Sequence, residues 1–220
     1  MGAKAWAILR RLVLLSPAAT QAPKGMSQKL TCWGSALVFS VVCLLSVSTD
    51  LPAVAVEPSY SLEIDKSERS LVVRADGRMV RKFQVALGRG GQGDKRIRGD
   101  NKTPLGSYRI TDFNDASPFL LFMRLNYPNV KDAFYGLRSH LVSQSEFQQI
   151  VAAARRGETP PQNTDLGGAI GIHGLGEETP DRLKIQRRLD WTRGCIGMTN
   201  AQVTELRRYV EIGTLVTIRE

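Results

Sequence analysis

Three short strand-like segments, two of them joined by a tight turn, stand at the start of the folded part of the chain. Residues 59–64 (SYSLEI) alternate polar and apolar side chains, residues 70–74 (SLVVR) form a second segment, and residues 79–87 return after the turn at 75–78. That turn contains Asp-Gly, which two-residue hairpin turns favour because both positions tolerate positive φ. The folded part of the chain is therefore predicted to open as a β-meander.

The rest of the chain mixes further strands with short helices. Strands are predicted at 107–110, 119–125, 169–173 and 213–219, and helices at 143–156, 181–189 and 200–209. The helix at 143–156 has apolar residues at helical spacing, Ser143 or Ser145 as its N-cap, and Gly157 as its stop. Residues 126–129 have only the composition of a turn. We expect a mainly β fold, a sandwich or barrel-like sheet with a few short helices.

An apolar leader precedes this folded part. Residues 30–47 are uncharged and largely apolar, and residues 51–55 (LPAVA) carry the small-x-small pattern of a cleavage site. We predict that residues 1–55 are a signal peptide, with Met26 as an alternative start, and that residues 56–220 are one catalytic domain. An uncleaved membrane anchor is the alternative, because the run is about long enough to span a bilayer. Either reading predicts an exported domain in the periplasm or cell envelope.

Setting the leader aside changes the charge and the cysteine count. The whole chain has 30 basic and 21 acidic residues, a net charge of +9, whereas residues 56–220 have 25 and 20, a net charge of +5. This moderate charge suits an anionic polymer but does not predict nucleic-acid binding. Cys195 is the one cysteine in residues 56–220, and a lone thiol in an oxidising compartment is usually kept for chemistry.

Two segments carry that chemistry, IGIHG at 170–174 and DWTRGCIGM at 190–198. A thiol is mostly protonated at neutral pH and needs a nearby base to become a nucleophile, a role that His173 can fill. Gly194 allows a tight turn before Cys195 whose N–H groups can stabilise an oxyanion. On these residues alone, a structural cysteine and a core histidine are the alternative.

The same segments resemble the signature of the YkuD-type L,D-transpeptidase catalytic domain, which is His-Gly, a gap, then Ser/Thr-His-Gly-Cys-Ile/Val-Arg. This chain has His-Gly at 173–174 and TRGCIG at 192–197. TPLGSY at 103–108 is similar to the family's Thr-Pro-x-Gly-x-Phe/Tyr strand, and GGAIGIHG at 167–174 is similar to the strand leading to the catalytic histidine. The resemblance spans roughly residues 58–219, and the form Asp-Trp-Thr-x-Gly-Cys-Ile resembles one subgroup of the family.

Two positions depart from this signature. Arg193 stands where the family has His, and Gly197 stands where it has Arg. Because the upstream histidine is the base in the family, His173 keeps that role. Arg193 is expected to contribute charge to a substrate carboxylate or to the thiolate, and a solvent-facing charge is the alternative. The departures leave open whether an amine or water accepts the acyl group.

The resemblance implies cysteine-dependent acyl transfer on peptidoglycan stem peptides, with Cys195 as nucleophile, His173 as general base and acid, and Gly194 as an oxyanion donor. It also implies a set of substrate-binding residues: Arg193, Thr192, Gly174, Tyr135 and His140. No metal or cofactor is expected. The alternatives are an amidase or L,D-carboxypeptidase that uses water, and a wall-binding module without activity. Expected partners are stem peptides and a wall-linked lipoprotein, with the membrane involved only if the leader is retained.

Overall fold

A computed structural model describes residues 57–220, and the predicted signal peptide at 1–55 lies outside them. Eight strands are present: β1 (Tyr60–Asp65), β2 (Ser70–Ala75), β3 (Arg78–Gln84), β4 (Gly106–Asn114), β5 (Phe122–Leu125), β6 (Gly171–His173), β7 (Ile196–Gly197) and β8 (Leu215–Arg219). Four α-helices accompany them: α1 (Val130–Arg138), α2 (Gln144–Arg156), α3 (Pro180–Arg188) and α4 (Asn200–Leu206), the last followed by a 3-10 turn at Arg207–Tyr209.

The eight strands form one sheet in the order β3-β2-β1-β8-β4-β5-β6-β7. The predicted hairpin is confirmed, since β2 and β3 pair antiparallel and both Asp76 and Gly77 have positive φ. The C-terminal strand lies in the middle, where β8 pairs parallel with β1 and antiparallel with β4. The first and last strands of the described residues thus meet in the centre of the sheet and tie its two halves together.

The segment that follows β3 closes the sheet on itself. Ala86 and Gly197 exchange both backbone hydrogen bonds, at 2.9 and 2.7 Å, and Gly88 forms a bridge with Thr192. Because β3 and β7 are the outer strands, this contact curls the sheet until its edges meet through residues 85–88. The predicted barrel-like sheet is confirmed in this form. The closure places residues 86–88 against Gly197 of β7 and against Thr192, which lies at the start of the cysteine turn.

The curled sheet encloses an apolar core. Its members come from the strands, from α4 and from the segments that connect them. The largest fully buried ones include Leu62, Ile64, Leu71, Tyr108, Ile110, Met123, Tyr127, Ile172 and Ile196. Burial of this many large apolar side chains is the main stabilising contribution to such a domain. Within residues 57–220, no helix is both long enough and apolar enough to cross a bilayer.

Of the helices, α2 matches its prediction and α1 was not predicted. Ser143 caps α2 through a capping box with Glu146. Helix α1 begins after what the sequence indicated as a turn, because Asn129 forms a capping box with Asp132 three residues later. Asn at the N-cap and Asp three residues later are as effective as the Ser or Thr and the Glu that usually occupy the two positions of a capping box.

Candidate active site

His173 and Cys195 lie on the same face of two neighbouring strands. Strands β6 and β7 are parallel, and Ile172 pairs with Ile196, both fully buried in the core. Side chains alternate along a strand, so the residue after Ile172 and the residue before Ile196 both point away from the core. The pairing of two short strands therefore brings the predicted base and the predicted nucleophile to one surface.

The turn that carries Cys195 is held by Thr192. The Thr192 hydroxyl donates to the Cys195 carbonyl at 2.6 Å and accepts from the Gly194 N–H at 3.1 Å. Gly194 has a φ of 128°, and a Cβ there would lie 2.8 Å from the Lys102 carbonyl oxygen. Glycine is thus required at 194 by both backbone angle and space.

The Cys195 thiol is held in its neutral form. Its Sγ donates to the carbonyl oxygen of Ala169, 3.3 Å away. The residue is half-buried, and burial of the thiol raises its pKa to about 11. At neutral pH the sulfur therefore carries its proton and needs a base before it can attack.

His173 is a neutral base with a defined tautomer. Its Nδ1 lies 2.7 Å from the Gly174 carbonyl oxygen, which can only accept, so Nδ1 holds the proton and Nε2 carries the lone pair. The side chain is 3% exposed, and burial lowers the pKa of its imidazole. Aromatic rings surround it, with centroids at 4.3 Å for Phe119, 6.1 Å for Phe122 and 5.7 Å for Trp191.

The residues just before the cysteine turn are anchored to other elements. The Asp190 carboxylate accepts from Arg69 Nε and from the Leu87 N–H, both at 2.9 Å. The Trp191 indole N–H donates to Gln186 on α3 at 2.8 Å. The Asp-Trp-Thr segment therefore joins the turn to β1–β2, to the closing segment after β3, and to α3.

An open cleft of about 880 Å³ lies over this surface. It is lined by Lys95, Arg98, Gly99, Asn101, Phe119, Phe122, Gln162, Asn163, Gly167, Gly168, Ala169, Ile170, His173, Trp191, Thr192, Arg193 and Cys195. Its lining includes three basic side chains and, among the described residues, no acidic one. Such a cleft favours an anionic ligand that also offers apolar surface to the aromatic wall.

Some of the predicted site residues line the cleft and others do not. Arg193 is exposed and lines the cleft with Cys195 and His173. Thr192 also lines it, but its hydroxyl is engaged within the turn, and Gly174 is buried and supplies the carbonyl that orients His173. The substrate-binding roles of these three residues stay predictions.

The remaining predicted residues do not face the cleft in this arrangement. The Gly194 N–H donates to Thr192, so its role at an oxyanion stays a prediction that requires this bond to be exchanged. The Tyr135 ring stacks under the Arg96 guanidinium at 4.3 Å, and exposed His140 lines a separate groove of about 400 Å³. Their contact with substrate also stays a prediction.

Sequence reasoning missed several residues that shape the site. Lys95 and Arg98, in the glycine-rich loop before β4, line the cleft, and Gln186 and Arg69 anchor the Asp-Trp-Thr segment. The high density of Lys and Arg in that loop was the available signal for a basic cleft. No local pattern marks Gln186 or Arg69, because their partners lie far away in sequence or in an irregular segment.

A thiol and a neutral imidazole on one face of a curled sheet, under a basic cleft, define a cysteine–histidine site on a mainly β domain. Residues 59–218 match the family described as "YkuD: L,D-transpeptidase catalytic domain". The chain belongs to this family, which acts on peptidoglycan stem peptides. No curated protein matches the sequence significantly.

Several solved structures are similar to this chain. Pgp2, the helical cell shape determining protein of Campylobacter jejuni, is 23% identical with a TM-score of 0.48, over 74% of this chain and 48% of that chain. Bd1075 of Bdellovibrio bacteriovorus is 20% identical with a TM-score of 0.45, over 74% and 48%. An L,D-transpeptidase of Xylanimonas cellulosilytica is 16% identical with a TM-score of 0.42, over 75% and 62%. The chain thus spans about half the length of the first two.

Proposed function

We propose that this domain is an exported cysteine acyltransferase that acts on peptidoglycan stem peptides. The observation that carries the proposal is the placement of Cys195 and His173 on one face of paired strands, beneath a cleft lined by three cations. Stem peptides carry free carboxylates, so a cleft of this charge suits them. Export rests on the predicted leader.

In the first half-reaction, the Cys195 thiol leaves the Ala169 carbonyl and gives its proton to His173 Nε2. Sγ attacks the carbonyl carbon of the L-centre of meso-diaminopimelate at position three of the stem tetrapeptide, and a C–S bond forms. The tetrahedral intermediate collapses as the amide C–N bond breaks. The proton on Nε2 passes to the nitrogen of the leaving D-alanine, so that a thioester and free D-alanine result.

In the second half-reaction, an amine attacks the thioester and His173 Nε2 takes its proton. The C–S bond breaks, the new amide is released, and the proton returns to Sγ. The neutral resting state of both groups suits this sequence, because Nε2 is free to accept and the thiol has a proton to give. His173 then works as base and acid in turn, without a preformed ion pair.

Water is the second candidate acceptor. Cys195 is half-buried and lies in an open cleft, so solvent can reach a thioester formed there. Attack by water would release a tripeptide and make the enzyme an L,D-carboxypeptidase. A wall-linked lipoprotein as a further partner stays a prediction.

Products from defined muropeptides test the proposal. Incubation of the full-length protein with disaccharide tetrapeptides, followed by mass spectrometry, should give crosslinked dimers if an amine is the acceptor and tripeptides if water is. Cys195→Ala should lose both products while keeping its circular dichroism spectrum, because the change removes the nucleophile and little packing. Wild-type turnover by Cys195→Ala would overturn the assignment of Cys195 as the nucleophile. Unchanged substrate with the wild-type protein would overturn the proposal in favour of a wall-binding module.

A further inference from the structure

A buried glutamine on α3 connects two neighbours of the catalytic histidine. Gln186 is 2% exposed, its Nε2 donates to the Gly197 carbonyl at 2.7 Å, and its Oε1 accepts from Trp191 Nε1 at 2.8 Å. Both ends of the amide are thus hydrogen-bonded, which offsets the cost of burying it. A bond at each end also fixes the orientation of the amide and of both partners.

Both partners of this glutamine contact the surroundings of His173. The Trp191 ring meets the imidazole edge-on at a centroid distance of 5.7 Å and an interplanar angle of 79°. Gly197 is the residue that pairs with His173 across the β6–β7 ladder. Gln186 therefore links the ring that packs against the imidazole to the strand beside it.

The missing side chain at 197 is part of this arrangement. A Cβ on Gly197 would lie 3.0 Å from Trp191 Cζ2, 3.2 Å from Gln186 Oε1 and 3.3 Å from Thr192 Cγ2. Few real Cβ contacts are this short, so any larger residue would push the indole or the amide out of place. The departure of this chain at position 197 is thereby explained by the space that Trp191 and Gln186 occupy.

We propose that Gln186 is a positioning residue for the reaction at Cys195: it fixes the Trp191 ring against β7 and so holds the His173 imidazole in place for proton transfer. The proposal rests on the proposed function for the chemical step only. Misplacing a catalytic group by a fraction of an ångström slows chemistry more than it weakens binding. Loss of Gln186 should therefore lower kcat and leave KM nearly unchanged.

The test compares Gln186→Met with Gln84→Met in the full-length protein. Methionine keeps the length of glutamine and loses its hydrogen bonds. Gln84 is the matched control, because its exposed side chain donates to Arg187 at the end of the same helix, 3.2 Å away, without touching Trp191. We expect Gln186→Met to lower kcat on muropeptides about tenfold with KM within about twofold of wild type. Gln84→Met should match wild type.

Proton NMR gives a second readout that needs no activity. The chain has two histidines, so a His140→Ala variant assigns the ring signals of His173. We expect Gln186→Met to move the chemical shift and the titration midpoint of His173, while Gln84→Met moves neither. The charged side chains that line the cleft around the ring, Lys95, Arg98 and Arg193, are the same in all variants.

Trp191→Phe supplies the partner variant if Gln186→Met does not fold. It removes the indole N–H and leaves Gln186 bound to Gly197, and it should show the same fall in kcat and the same shift at His173. When both single variants fold, the double variant should lose no more activity than the worse single one, because the two act through one contact. Unchanged kcat and His173 signals in a folded single variant would overturn the proposal, as would multiplicative losses in the double variant.

The outcome also separates this proposal from the proposed function. A wild-type protein without activity on muropeptides, whose His173 signals still shift in Gln186→Met, would refute the proposed function and keep the positioning role. If the wild-type protein is active and Gln186→Met equals it in kcat and in the His173 signals, the positioning role is refuted and the proposed function is kept.

Discussion

At the scale of single residues, the site combines a protonated thiol with a neutral imidazole. Burial raises the pKa of Cys195 and lowers the pKa of His173, so the two shifts together disfavour a thiolate–imidazolium pair. The Gly174 carbonyl adds a fixed tautomer, which leaves Nε2 as the accepting nitrogen. In the proposed mechanism His173 therefore acts during the attack, as a general base.

This protonation state predicts the pH dependence of Cys195 acylation. With a carbapenem as the acylating agent, intact-protein mass spectrometry should show a rate that is flat near pH 7 and falls only below the ordinary imidazole pKa of about 6.5. The rate should fall only at this lower pH because the pKa of His173 is lowered, so that Nε2 keeps its lone pair down to a lower pH. His173→Ala should acylate about a hundredfold more slowly at pH 7. Its rate should then climb toward the thiol pKa of about 11.

His140→Ala is the control for that experiment. His140 is exposed and lies in a separate groove, so its removal should leave the pH profile of the wild type in place. Equal acylation rates for the two histidine variants would show that His173 is not the base.

Residue types and motifs singled out Cys195 and His173, which line one cleft in the structure, but they did not predict the surroundings of these two side chains. Cys195 and His173 stand out in the sequence because Cys195 is the one cysteine of residues 56–220 and His173 ends a predicted strand between glycines. The aromatic enclosure of His173 could not be predicted, since Phe119 and Trp191 approach it from segments far away in the chain. Pairing of distant segments depends on the closure of the sheet and not on local pattern.

At the scale of elements, one arginine joins the β1–β2 turn to the end of α3. Arg69 donates to the Asp190 carboxylate at 2.9 Å and to the carbonyls of Gln186, Arg187 and Leu189 at 3.0–3.4 Å. The last carbonyls of a helix lack partners within the helix, and a guanidinium supplies several donors to them. These contacts of Arg69 hold α3 and the start of the Asp-Trp-Thr segment against the sheet.

Arg69→Ala should therefore destabilise the domain. We expect a loss of about 2 kcal/mol in the free energy of unfolding, because hydrogen bonds to charged groups at a partly buried site disappear. Urea unfolding followed by circular dichroism measures it. Lys82→Ala is the matched control, since its pair with Glu68 is exposed and should matter little. Equal free energies of unfolding for the two variants would show that the Arg69 contacts do not stabilise the domain.

The elements themselves show what pattern can and cannot predict. Helix α2 was predicted from Ser143 to Arg156 because its apolar spacing and both of its ends follow common rules. Helix α1 was missed because Asn129 follows Pro128 in a stretch with turn composition, although Asp132 completes its cap. The bridges at Ala86 and Gly88 could likewise not be predicted, since single-residue pairings between sheet edges have no local sequence pattern.

At the scale of the whole domain, the cleft over Cys195 has basic side chains in its lining and, among the described residues, no acidic one. Residues 57–220 carry a net charge of +5, and three of the basic side chains line the cleft without an acidic neighbour in the lining. Lys95 is paired with Asp100 at 2.7 Å, whereas Arg193 is exposed beside the cysteine. Arg98 is exposed as well, but it donates to the Thr164 carbonyl at 2.7 Å. We therefore expect Arg193 to be the cleft cation that meets a substrate carboxylate.

Reversing this charge should weaken substrate binding. Arg193→Glu is expected to raise KM for muropeptides about tenfold at low salt, with a smaller effect at high salt where the interaction is screened. Arg208→Glu is the matched control, because it makes the same change in net charge on an exposed arginine outside the cleft lining. Steady-state kinetics at two ionic strengths distinguish them, and equal KM values would mean that only the total charge matters.

The central claim, that Cys195 forms a thioester with a stem peptide, is tested most directly by trapping that species. Wild-type protein is mixed with a disaccharide tetrapeptide, quenched in acid within one turnover, and weighed intact by mass spectrometry. We expect an added mass equal to that of the substrate less D-alanine. This added mass should be lost on treatment with hydroxylamine and absent from Cys195→Ala. Product formation without an adduct that depends on Cys195, or the same adduct on Cys195→Ala, would contradict it.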